Sequence, residues 1–135
     1  MIRGSDLMPS HNERGWYPVE ACDKLDVRFS PKERAIAVAV ANGRPRRRII
    51  RVRFDLSETP QYRVLPRPGD MPTPLAVPEG QEPLEAALAF FVQTHKLREL
   101  LLRAKVSQPE VAQIPFARLQ HAAAHIRHIN ATCAA

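Results

Sequence analysis

At 135 residues, with 44% apolar and 25% charged residues, the chain has the composition of one soluble domain long enough to bury a core. Two cysteines near opposite ends, Cys22 and Cys133, exclude a disulfide framework or a zinc signature. The net charge of +6 is unevenly placed, because residues 28–67 hold eleven Arg or Lys against three acids. A basic patch on a near-neutral body points to an acidic partner, with nucleic acid the first candidate.

In chain order, residues 1–15 read as a flexible start without the apolar segment of a signal peptide. Trp16-Tyr17-Pro18-Val19 brings the only Trp and one of two Tyr. It reads as an anchor at a sheet edge or, alternatively, as a platform on which a base would stack. Leu25, Val27 and Phe29 alternate with Asp26 and Arg28, which predicts a short strand. Ser30-Pro31-Lys32-Glu33 follows as a turn with Pro at its second position.

Ala35 to Phe54, AIAVAVANGRPRRRIIRVRF, predicts a β-hairpin of two alternating strands. Ile36, Val38 and Val40 share one face, as do Ile50, Val52 and Phe54. The two apolar faces coincide only when the pairing keeps even parity. A three-residue loop at Gly43-Arg44-Pro45 meets that condition, with Val38 opposite Ile50 and Ile36 opposite Val52. On the other face Ala37 would then lie beside Arg51 and Ala35 beside Arg53, small residues that leave the guanidinium groups free. With Arg44, Arg46, Arg47 and Arg48 near the turn, six arginines fall within ten residues. Residues 16–58 thus form a predicted β-meander.

Seven prolines between Thr59 and Pro83 exclude a central strand there and predict an extended connector. Tyr62, Val64 and Leu65 could add a short edge strand. Pro83 suits the first turn of a helix running to about Lys105, with Glu82 and Glu85 at its positive end. Ser107-Gln108-Pro109-Glu110 has capping-box spacing and opens a short helix. Pro115 starts a last helix to about Asn130, with Phe116, Leu119, Ala123 and Ile126 as its inward stripe. Residues 84–130 make the helical part. The expected architecture is a single α+β domain: an antiparallel meander of three or four strands packed against C-terminal helices.

Leu97, Arg98, Leu100, Ala104, Val106-Ser107-Gln108, Glu110, Val111 and Ala112 resemble the opening of a λ-repressor-type (Xre-like) helix-turn-helix. The resemblance spans residues 97–119 and then departs from the family: no Gly forms the turn, Pro115 follows Ala112 by three residues, and Leu119 by seven. It implies that Ser107 and Gln108 meet phosphate, and that Arg118, Gln120 and His121 point toward base edges.

His121, His125 and His128 fall within about 60° of each other on the last helix, opposite its apolar stripe. A His pair at i, i+4 can chelate a transition metal, but no carboxylate belongs to this face. The three are weak metal candidates, and no cofactor is expected. No nucleophile elbow, phosphate loop or carboxylate pair supports catalysis, so a non-enzymatic protein is expected. The longest apolar-rich stretch, near residues 84–104, is broken by charges and excludes a membrane span, which makes the cytoplasm the default location.

The functional expectation is a small nucleic-acid-binding or regulatory protein, DNA before RNA. Arg44, Arg46, Arg47, Arg48, Arg51 and Arg53 would hold phosphate, and Gln108, Arg118, Gln120 and His121 would add contacts. The alternative is an adaptor, inhibitor or antitoxin-like module whose arginine face docks on an acidic protein. An open sheet edge would also permit a homodimer.

Overall fold

The computed structural model describes residues 14–22, 25–42, 48–65, 72–92 and 116–133. Six strands form one antiparallel sheet in sequence order: β1 (Tyr17–Cys22), β2 (Leu25–Ser30), β3 (Ala35–Asn42), β4 (Arg48–Asp55), β5 (Gln61–Leu65) and β6 (Thr73–Pro74). Two helices follow, α1 (Pro83–Val92) and α2 (Phe116–Cys133). The class is α+β, as the patterning requires.

Period-2 alternation builds the sheet. Leu25, Val27 and Phe29 of β2, Ile36 and Val38 of β3, and Val52 and Phe54 of β4 are buried on one face. The helices cover that face with Leu84, Ala87, Leu88, Leu119, Ala122, Ala123, Ile126 and Ile129 in the same core. Helix α2 presents this stripe at spacings of three and four, so its apolar side meets the sheet while Gln120 and His121 stay exposed. Phe54, Tyr62 and Phe90 make an aromatic cluster where β4, β5 and α1 meet, with ring centroids 5.4–5.9 Å apart. Arg127 of α2 reaches Glu85 of α1 at 3.1 Å.

The β2–β3 turn closes as its sequence predicts. The Ser30 hydroxyl accepts a bond from the Glu33 N–H at 3.1 Å, which satisfies a fully buried side chain. Arg34 ends the turn at φ 51°. Its carbonyl accepts the Leu56 N–H at 2.8 Å, and its Nε donates to the Leu56 carbonyl at 3.1 Å. That exchange holds the left-handed residue in place.

Three expectations change. The β3–β4 register is offset by two residues from the predicted one: Ile36 faces Phe54, Val38 faces Val52, and Val40 faces Ile50. Five residues, 43–47, therefore separate the strands. A shift of two preserves which face is apolar, so patterning alone could not distinguish the registers. The observed one stacks Phe54 across from Ile36 and brings Leu56 level with Arg34.

Second, the proline-rich stretch contributes two strands. β5 lies between β4 and β6, pairing Tyr62 with Phe54 and also with Thr73. Pro74 is tolerated because β6 is the edge. Third, the sheet has six strands where three or four were expected, because residues 17–22 of the 16–58 meander form a strand of their own, β1, with a register irregularity between Pro18 and Glu20. The helices predicted beyond Val92 and near residues 107–114 lie outside the described residues.

Both sheet edges carry features that oppose strand addition. β6 is two residues long and includes Pro74. β1 includes Pro18 and the bulge, whose Val19 carbonyl lies 3.2 Å from His125 Nδ1 of α2.

Candidate nucleic-acid interface

The sheet's second face is where the arginines stand. Residues alternate across strands, so Asp26 and Arg28 of β2, Ala37 and Ala39 of β3, Arg51, Arg53 and Asp55 of β4, and Gln61 and Arg63 of β5 all point away from the helices. One cross-strand row reads Arg28, Ala37, Arg53, Arg63. The next toward the β3–β4 turn reads Asp26, Ala39, Arg51, Leu65.

This face is partly covered. Gly15, at φ 89°, turns the chain so that Trp16 lies over Ala35 and Ala37, and the three form a small apolar cluster of their own. Only glycine adopts that backbone without steric cost. The alanines leave room for the indole, and Trp16 is 9% exposed. Arg53 lies over the indole with its guanidinium carbon 5.2 Å from the ring centroid. The reading of Trp16 as a base-stacking platform therefore gives way to Trp16 as a cover for the sheet, its ring already engaged by a cation.

The expectation that small neighbours leave the guanidinium groups free is corrected in the same way. Arg53 Nε donates to Asp55 Oδ1 at 3.1 Å, and the side chain is 19% exposed. Arg28 donates to both oxygens of Asp26, at 3.3 and 3.0 Å, and is 14% exposed. The spacing Asp26-x-Arg28 and Arg53-x-Asp55 puts each acid on the same face as its base, a signal available in the sequence. Arg51, by contrast, has no ion-pair partner among the described residues.

Toward the hairpin tip, Arg48 opens β4 opposite Asn42. Arg44, Arg46 and Arg47 lie outside the described residues, as does Gln108 and most of the stretch resembling a helix-turn-helix. Compared with known protein families, characterised proteins and solved structures, the chain matches none.

Helix α2 does not share the arginine surface. It packs on the apolar face of the sheet, so the sheet stands between Arg118, Gln120 and His121 on one side and Arg51 and Arg53 on the other. Arg118, 58% exposed, reaches Glu20 of β1 at 3.4 Å and ties the helix to the sheet edge. All three histidines are exposed, and among them His125 bonds the Val19 carbonyl at 3.2 Å. Among the described residues no group of three or more His, Cys, Asp or Glu is arranged to hold a metal ion, and no helix is long and apolar enough to cross a membrane.

Proposed function

We propose that this chain is a small non-enzymatic nucleic-acid-binding protein that docks the tip-ward part of its β3–β4 hairpin on the phosphate backbone. One observation carries the reading. Residues 34–54 hold seven arginines and no acid, and on the outward face the described carboxylates, Asp26 and Asp55, are engaged by Arg28 and Arg53. Positive charge thus accumulates toward the turn, where a polyanion is the fitting counter-charge. Arginine's planar fork suits phosphate oxygens. Because α2 lies behind the sheet, phosphate contact by the hairpin does not depend on base reading by the helix, and the binding is sequence-tolerant.

The test is a fluorescence-anisotropy titration with random duplex DNA and RNA at roughly 50 and 200 mM salt, where three or more phosphate contacts weaken binding tenfold or more. The triple variant R46A/R47A/R48A should bind more weakly at both salts and with a flatter dependence. No binding at the lower salt overturns the reading and assigns the arginines to an acidic protein surface.

A further inference from the structure

Charge pairing on the outward face leaves two arginines unmatched. Asp26 meets Arg28 at 3.0 Å and Asp55 meets Arg53 at 3.1 Å. Arg51 and Arg63 have no carboxylate partner among the described residues. They project from neighbouring strands on the same face: Arg63 is directly opposite Arg53, and Arg51 is diagonal to Arg63. Diagonal positions on adjacent strands are within reach of long side chains.

Arg63 carries a second, independent observation. Its Nε is buried and has no hydrogen-bond partner, alone in this respect among the buried side-chain nitrogens and oxygens of the described residues. A buried donor without an acceptor is costly, and a like charge directly across the strand pair, Arg53, adds to the cost. A bound oxyanion would relieve both. Its oxygens would accept from Arg63 and from Arg51, and its charge would offset the excess that Asp55 leaves uncompensated. Arg53 need not leave Asp55 or the Trp16 ring to contribute, because its charge acts on a neighbour through space.

We propose that Arg51 and Arg63 form a phosphate-binding site on the outward face of β4 and β5. Both are half-buried, so a bound phosphate is less screened than one on a fully exposed lysine or arginine. Because Nε is closed off as it stands, binding would require the outer torsions of Arg63 to turn Nε and a terminal nitrogen toward one phosphate, a bidentate arrangement that lysine cannot make. Arg51 completes the site from the adjacent strand. The site deepens the nucleic-acid reading by naming a phosphate contact away from the hairpin tip. Inorganic phosphate offers the same chemistry from another source.

The experiment follows the arginine Nε–H signals of the full-length, ¹⁵N-labelled protein by NMR. The signals are assigned through the backbone, and sodium phosphate is added against sodium chloride of equal ionic strength. The Arg51 and Arg63 signals should move together along one saturating curve while that of Arg28 stays in place. R63Q and R51Q should each abolish saturation of the remaining partner, and R28Q should not. In a parallel duplex-DNA titration, R63Q should lower the salt slope by about 0.9, a loss of about 3.5-fold in the affinity ratio between 50 and 200 mM salt. Absence of a phosphate-specific response at Arg51 and Arg63 overturns the site, even where the duplex binds through the tip. A saturating phosphate response without duplex binding keeps the site, assigns it to free phosphate and overturns the nucleic-acid reading. The wild-type titration decides the site even if a variant does not fold.

Discussion

The two faces of the sheet are built by the same strands and obey different rules. On the inner face Val27, Phe29, Ile36, Val38, Val52 and Phe54 are sealed from water by two helices, and volume and apolarity decide which residues fit. On the outer face Ala35 and Ala37 are equally buried, but in a cluster of three with Trp16, and the arginines beside them are arranged by carboxylates and an aromatic ring. Apolar burial is insensitive to partner identity, whereas each guanidinium needs a particular oxygen or ring. The inner face therefore tolerates conservative exchange, and the outer face depends on single contacts.

The contrast can be tested from its strongest side. Phe54→Ala removes a fully buried ring that touches Tyr62 and Phe90 and should cost about 4 kcal/mol in denaturant unfolding. A loss under 1 kcal/mol would mean that the inner face is not the principal core. Trp16→Ala should cost about 2 kcal/mol, the value of returning one large apolar side chain to water. It should also raise the solvent exposure of Arg53, measurable as faster exchange of its Nε–H. If Trp16→Ala proves as costly as Phe54→Ala, the outer face is a second core rather than a capped surface.

Single polar contacts come next. Ser30→Ala removes the acceptor of the Glu33 N–H inside the β2–β3 turn and should cost about 1 kcal/mol, read as a shift in the unfolding midpoint. His125→Ala, which frees the Val19 carbonyl at the bulge, should cost a similar amount and speed amide exchange in β1 ahead of β3. Equal acceleration in both strands would show that the bond does not secure the edge. The smallest effect belongs to Arg127→Ala. Its pair with Glu85 is exposed on both sides, so the change should be below about 1 kcal/mol and vanish at high salt.

Much of this molecule was legible in the amino-acid sequence. Period-2 alternation located β2, β3 and β4 and sorted their residues into an apolar and a polar face, because alternate side chains point to opposite sides of any strand. Pro at the second position of the Ser30–Glu33 turn, Pro83 at the start of α1 and the Leu119-Ala123-Ile126 spacing in α2 are local signals, settled by φ and by helical period. Both strand-internal Asp/Arg pairs belong to the same class, since two residues along a strand always share a face.

What only the tertiary structure decided depends on contacts distant in sequence. The β3–β4 register was open to a shift of two, and the long-range exchange between Arg34 and Leu56 accompanies the solution adopted. The place of Trp16 depends on a recess formed by alanines nineteen and twenty-one residues later. The strands in the proline-rich stretch exist because β4 offers unpaired backbone groups to Gln61–Leu65. Parting Arg51 and Arg53 from Arg118, Gln120 and His121 required knowing which face α2 covers. Side-chain period determines faces. Pairing offset, covering layers and charge contacts between elements, such as Arg118 with Glu20 and Arg127 with Glu85, are determined only when the chain closes on itself.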